Sequence, residues 1–88
     1  MANTRRILIK NGFANETVEI DATEAANKEI QLSQTPKINT QTVVHSINGP
    51  TQRYGADFIV TGDVLSWNGY GLETILEEGD TLVIVYPI

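Results

Sequence analysis

Asp57-Phe58-Ile59-Val60-Thr61-Gly62-Asp63-Val64-Leu65-Ser66-Trp67 holds two β-prone runs joined by a Gly-Asp pair, the strongest hairpin signal in the chain. Branched and aromatic side chains pack well on a pleated sheet, and the Gly62-Asp63 pair suits a tight two-residue turn. Asn68-Gly69-Tyr70-Gly71 breaks the second arm. Beyond it, Leu72 to Glu78 (LETILEE) predicts a short helical turn near residues 72–78. Leu72, Ile75 and Leu76 are spaced for one apolar face, and Gly79 is placed to end it. The last strand, Thr81 to Tyr86 (TLVIVY), is stopped by Pro87. Its run Leu82-Val83-Ile84-Val85 has little polar alternation, which predicts a strand covered on both faces, central in a sheet or at an interface.

Toward the N-terminus the same grammar repeats. Arg5 to Lys10 (RRILIK) is a β-rich run ended by Asn11-Gly12, a dipeptide that readily takes the positive φ of a tight turn. Glu16 to Asp21 (ETVEID) alternates, with Val18 and Ile20 on one side and Thr17, Glu19 and Asp21 on the other. Asp21 with Glu24 three residues on is a capping-box signal for a brief helical turn. Lys28 to Leu32 alternates again, Ser33 to Thr40 with Pro36 reads as a connection, and Gln41 to Asn48 is a strand closed by Asn48-Gly49-Pro50. The total is about seven short strands. It predicts an all-β fold, a small antiparallel β-sandwich or partly open barrel in one domain spanning residues 1–88, with Met1 to Thr4 as a flexible or assembly-ordered leader.

A chain of 88 residues without cysteine has neither disulfides nor thiolate zinc sites to brace a small core. Burial against another subunit is then the expected source of extra stability. The apolar run Ile7-Leu8-Ile9 is too short for a secretory signal or a membrane span, so a soluble protein made in a cytoplasm is expected. Net charge is −5 and unevenly placed. Up to Thr40, Arg5, Arg6, Lys10, Lys28 and Lys37 balance Glu16, Glu19, Asp21, Glu24 and Glu29; beyond it, Arg53 stands alone against Asp57, Asp63, Glu73, Glu77, Glu78 and Asp80. That acidic half would repel a phosphate backbone, which argues against nucleic acid as a partner.

Catalytic constellations are hard to assemble from these residues. His45 is the only imidazole available to activate Ser33, Ser46 or Ser66, and it sits mid-strand among Val43, Val44 and Ile47. Gly69-x-Gly71 is not followed by the Lys-Ser/Thr of a phosphate loop. The carboxylates have no calcium-loop spacing, and Asp63 and Asp80 each stand beside a turn glycine, where a short acid caps the backbone. No cofactor or metal is therefore expected. Asn15-Glu16-Thr17 fits a glycosylation acceptor, which without a secretion signal is read as accidental. Among the aromatics, Trp67 and Phe58 are expected in the core, while Tyr54 and Tyr70, both in loops, are candidates for exposed contacts.

From about Lys28 to Ile88 the chain resembles small β-sandwich domains of tailed-bacteriophage virion proteins. The resemblance rests on a strand leading to Thr-Pro (Glu29 to Pro36), a strand ending in Asn-Gly (Val43 to Gly49), Gly55-Ala56-Asp57-Phe58-Ile59-Val60-Thr61-Gly62, Leu65-Ser66-Trp67-Asn68-Gly69 with Gly71-Leu72, and Gly79-Asp80-Thr81-Leu82-Val83-Ile84-Val85-Tyr86. It covers about two-thirds of the chain and supplies no catalytic residue; Met1 to Asn27 lies outside it, where a particular partner could be engaged. The resemblance implies a virion location and a non-catalytic role as a capsid decoration, head-tail or tail adaptor, or fibre-attachment subunit, homo-oligomeric or embedded among capsid or tail subunits. An unpaired edge strand can be completed by a neighbouring chain, and Arg5-Arg6-Ile7-Leu8-Ile9, ahead of Lys10, is the candidate edge, with Tyr54 and Tyr70 as further contacts. The alternative is a carbohydrate-binding module in which Tyr54, Tyr70 and Trp67 line a sugar site. A small enzyme would have to rest on carboxylates alone.

Overall fold

Asn11 and Gly12 both take positive φ, 54° and 79°. This is type I′ turn geometry, whose twist matches that of the strands it joins. The computed structural model describes residues 5–46 and 51–88, and the turn joins β1 (Arg5–Lys10) to β2 (Phe13–Glu19), with Lys10 opposite Phe13. Because the turn uses only two residues, β2 starts at Phe13, three residues ahead of the expected start at Glu16. The polar leader Met1 to Thr4 and the turn Asn48-Gly49-Pro50 lie outside the described residues.

The capping box forms as the sequence suggests. Asp21 Oδ1 accepts the Glu24 N–H at 2.7 Å and Glu24 Oε1 accepts the Asp21 N–H at 3.0 Å, opening α1 (Ala22–Asn27). Lys28 closes it in the left-handed region at φ 59°, and the chain turns into β3 (Glu29–Gln31). A 3-10 turn at Asn39–Gln41 precedes β4 (Val43–Ser46), and the two-residue β5 (Thr51–Gln52) pairs with it. β6 (Ile59–Thr61) and β7 (Val64–Ser66) form the anticipated hairpin; Gly62 has φ 61° and Asp63 does not share the positive sign, the type II′ requirement. β8 (Thr81–Pro87) ends the fold.

Eight strands are present among the described residues against about seven expected, the addition being β5, whose two residues read as loop. They form two antiparallel sheets, β1-β2-β8-β4-β5 and β3-β7-β6. No strand is shared between the sheets, so the architecture is a sandwich rather than a barrel. β8 lies in the middle of the larger sheet, as its apolar run predicted. Its inner residues Leu82, Ile84 and Tyr86 join Ala14, Val18 and Val44 against Ile30, Val60 and Leu65 of the smaller sheet, and Ile20, Leu32, Phe58, Trp67 and Leu72, which flank the strands, complete one cluster.

Two expectations are corrected. The short helical turn expected near residues 72–78 is present, as a 3-10 turn at Gly71–Thr74, and what is corrected is its extent and its single apolar face. Its start is anchored sideways, since Gly71 and Leu72 donate N–H bonds to the carbonyls of Ala56 and Asp57 at 3.0 and 3.2 Å. Its C-terminal side carries Glu77 and Glu78, which oppose the partial negative charge there. Leu72 and Leu76 pack on the core while Ile75 is exposed, so the single apolar face does not form. The second correction concerns β8, where Val83 and Val85 are half-buried on the outer face instead of fully covered. Among the described residues the smaller sheet packs on the inner side, where Leu82, Ile84 and Tyr86 share its core cluster.

Candidate functional site

The described residues of the two sheets leave four edge strands, and three are closed or short. β3 and β5 have three and two residues. β6 is capped by side chains. Asn39 Nδ2 donates to the Val60 carbonyl at 2.9 Å, the Tyr54 hydroxyl donates to the same oxygen at 3.3 Å, and that hydroxyl accepts the Val60 N–H at 3.5 Å. β1, by contrast, is six residues of regular strand with β2 on one side and, among the described residues, no strand on the other. A long open edge of this kind is a template for another chain.

Which backbone groups β1 offers follows from the ladder. The turn bond ties Lys10 to Phe13, and hydrogen-bonded pairs alternate along an antiparallel ladder, so Lys10, Leu8 and Arg6 bond to Phe13, Asn15 and Thr17. The other side of β2 agrees, because Ile20 donates to Asp80 O and Ile88 to Gly12 O, each at 2.8 Å. The even-numbered positions of this stretch therefore face β8 and the odd-numbered ones face β1. The N–H and C=O groups of Ile7 and Ile9 consequently point away from β2, where no described strand pairs with them.

The side chains sort by the same alternation. Arg6, Leu8 and Lys10 lie on the outer face, while Ile7 and Ile9 lie on the inner face, in rows with Glu16 and Ala14. β1 is solvated on both faces, with Ile7 40%, Leu8 64% and Ile9 51% exposed, although Glu16 and Ala14 beside Ile7 and Ile9 are buried. Arg6 and Lys10 are exposed and form no ion pair with any described residue. The apolar character continues across the outer face, where Leu8, Asn15, Val85 and Val43 form one cross-strand row and Phe13 lies beside Lys10. Phe13 is 49% and Val43 43% exposed. Single exposed aliphatics are ordinary on a protein surface, but a contiguous set beside an unpaired edge is the pattern of a contact surface.

The structure thus brings Arg5, Arg6, Ile7, Leu8 and Ile9 together on one open edge and leaves the two tyrosines elsewhere. Tyr54 is half-buried; its ring meets Phe58 edge-on at 5.5 Å between centroids, and its hydroxyl serves β6. Its expected exposure is corrected accordingly, because the loop that carries it folds back over the sheet. Tyr70 is half-buried ahead of the 3-10 turn, its N–H bonded to Trp67 O at 3.0 Å. Trp67 is buried in the core, as expected, so two of the three rings suggested for a sugar platform are used for packing.

The remaining polar groups do local work. His45 is half-buried on the outer face, between Val83 and Thr51 in the ladder. Asp80 Oδ2 accepts the Glu77 N–H at 2.8 Å, the turn chemistry anticipated for it, whereas Asp63 Oδ2 accepts from the Gln31 side chain on the neighbouring strand instead of capping its turn; Asp57 Oδ2 accepts the Arg53 N–H at 2.8 Å. Glu73 accepts the Gly69 N–H and meets Lys28 Nζ at 3.3 Å; these two contacts, the backbone bond first, hold its carboxyl below the usual carboxylate range. Among the described residues no three His, Asp or Glu side chains gather as a metal site, and no helix is long and apolar enough to cross a membrane.

Two clefts mark the surface. One, of about 330 Å³, lies between the end of β2 and Glu78-Gly79 and is lined by Glu19, Asp21 and Glu78. The other, of about 360 Å³, is lined by Gln52, Leu72, Ile75, Leu76 and Leu82. Neither includes His45 or a nucleophile paired with a base. Comparison with known protein families, curated proteins and solved structures finds no match to this chain.

Sequence reasoning missed three participants. Phe13 falls in the unassigned stretch between the first two expected strands, Val43 is one residue of the expected strand Gln41 to Asn48, and the half-covered outer face is expected to be covered. The signal for Phe13 was present, since a two-residue Asn-Gly turn places the next residue directly opposite Lys10. Val43 could not be found so, because its neighbour Val85, through which it joins the row that ends at Leu8, comes from a distant part of the chain.

Proposed function

We propose that this protein is a non-catalytic structural subunit of a bacteriophage particle, a capsid decoration, head-tail or tail adaptor, or fibre-attachment protein acting through protein–protein contacts. The observation that carries the reading is the β1 edge: six residues of open strand with Ile7, Leu8 and Ile9 exposed, beside an outer sheet face with Phe13 and Val43 also exposed. Fully covering one large aliphatic side chain is worth about 1.5–3 kcal/mol, and an added strand would also satisfy the backbone groups of Ile7 and Ile9. A partner that pairs with β1 and covers this row therefore gains more than it would on any other edge of the molecule. The resemblance of residues 28–88 to phage virion modules supplies the setting. The open edge lies in residues 5–10, outside that resemblance, where a partner-specific contact belongs.

The test is association with the particle. Particles purified from the source are sedimented, the chain is detected by mass spectrometry, and its position is sought by electron microscopy. The chain is expected to sediment with the particle. Leu8→Glu, which places a charge in the middle of the exposed row without touching the core, is expected to abolish incorporation with its Tm unchanged. Wild-type protein that stays monomeric and never accompanies the particle, or a pure polypeptide with catalytic turnover, would contradict the reading.

A further inference from the structure

The β1 edge also specifies the chemistry of what completes it, an inference that rests on reading this edge as the contact surface. We propose that β1 receives an extended segment of a partner protein in which three consecutive apolar residues are flanked on both sides by Asp or Glu. The argument is one of register. In an antiparallel ladder, directly opposed residues share a face. A strand laid along β1 therefore places one residue opposite Arg6, one opposite Leu8 and one opposite Lys10 on the outer face, with two more opposite Ile7 and Ile9 on the inner face. Arg6 and Lys10 are exposed cations that form no ion pair with a described residue, the nearest acid in register being Glu19 on the diagonal from Arg6, so the matching positions favour carboxylates. Ile7, Leu8 and Ile9 are exposed apolar side chains, so the three positions between favour aliphatic or aromatic residues.

The same pattern argues against a second copy of this chain. Antiparallel self-pairing centred on Leu8 sets Arg6 directly opposite Lys10 twice, and like charges directly opposite are destabilising. Centring on Ile7 avoids that clash but places Arg5 and Arg6 of both copies along one short seam. Two segments of the chain itself approach the required pattern, and both are committed. Asp57-Phe58-Ile59-Val60-Thr61 lacks the second acid, buries Phe58 and Val60, and has its edge capped by Tyr54 and Asn39. Glu73-Thr74-Ile75-Leu76-Glu77 has both acids, but it begins in a 3-10 turn, packs Leu76 on the core, and holds Glu73 on Gly69 and Lys28. A different polypeptide with free acidic ends suits the edge better. Such exposed pairs add modest affinity and mainly set partner choice and orientation.

The experiment uses the full chain and two fluorescein-labelled, end-capped peptides, Thr-Glu-Val-Leu-Val-Glu-Thr and the same sequence with Lys in place of each Glu, titrated by fluorescence anisotropy. The acid-flanked peptide is expected to bind at least about tenfold more tightly than the Lys-flanked one and to weaken as salt is added. The double variant Arg6→Glu/Lys10→Glu, whose altered side chains are both on the surface, is expected to reverse the preference with its Tm unchanged. Equal binding of both peptides, no binding of either up to millimolar concentration, or concentration-dependent self-association by ultracentrifugation that the charge reversal abolishes would each overturn the inference. Failure here is distinguishable from failure of the assembly reading. A chain that sediments with particles yet ignores acidic strands excludes only this partner chemistry, whereas one that binds the peptide but never joins a particle excludes only the phage setting.

Discussion

The carboxylate of Glu16, fully buried on β2, takes the backbone N–H of Ser33 between its two oxygens at 3.1 and 2.9 Å. One residue on, the Gln34 N–H donates to the hydroxyl of buried Tyr86 at 3.2 Å. Together these contacts tie the start of the connection that leaves β3 to the inner face of the larger sheet, and so couple the two layers next to the strand that carries the open edge. Removing the acceptor of the part-buried Ser33 N–H forfeits the bond and part of the desolvation of that group.

Glu16→Ala is accordingly expected to lower stability by about 2–3 kcal/mol, combining the lost charge-assisted bond with the space left behind. Glu16→Gln keeps an acceptor oxygen and is expected to lose less. Thermal unfolding followed by circular dichroism reads both, since each kcal/mol is worth about 4–8 °C in a domain this size. Equal losses from the two variants would mean that Glu16 acts only as a space-filler.

Thr42 is buried just after the first 3-10 turn, and its hydroxyl has no hydrogen-bond partner among the described residues. A hydroxyl buried without a partner costs about 1–3 kcal/mol. Thr42→Val removes that group at nearly constant shape and is expected to raise Tm, by an amount corresponding to about 1 kcal/mol. A lower Tm in the variant would show that the hydroxyl does find a partner in solution.

Glu73 gives the fold an acid-sensitive contact. The Gly69 N–H and then the Lys28 ammonium favour its charged form, so its folded pKa lies below the ordinary value of 4.5. A carboxylate lowered in this way contributes stability that is whole above pH 4.5 and is lost as the pH falls through the lower folded value. The Tm difference between wild type and Glu73→Gln is therefore expected to be positive at neutral pH and to narrow progressively below pH 4.5. Lys28→Met should retain part of the effect, because the backbone bond is the larger cause. A difference that does not change with pH would contradict this.

The features legible in the sequence were those decided by a few adjacent residues. Asn11-Gly12 and Gly62-Asp63 announce their turns because few dipeptides suit these tight turns, and Asp21 with Glu24 announces the helix cap. The central place of β8 followed from the apolar run Leu82 to Val85, and the edge position of β1 from its charged ends and terminal location. What escaped depends on distant partners. Glu16 has the parity of Val18 and Ile20, but what lets a carboxyl occupy that core side is the Ser33 N–H, which arrives from the far end of β3. Tyr54 reads as exposed until its loop closes over β6, and β5 exists only because β4 lies alongside it. The apolar turn expected around Leu72 to Leu76 was diverted by bonds from Gly71 and Leu72 to the loop at Ala56 and Asp57, a contact invisible to local periodicity.

Amide hydrogen exchange across residues 5–10, compared between the isolated chain and the chain in its assembled particle, tests the central claim most directly. In the isolated chain the amides of Ile7 and Ile9 are expected to exchange rapidly, while those of Arg6, Leu8 and Lys10, bonded to β2, exchange slowly. On assembly the fast pair is expected to become protected. A segment already protected throughout in the monomer, or one whose exchange is the same in both states, would contradict the claim that β1 is an open edge that a partner completes.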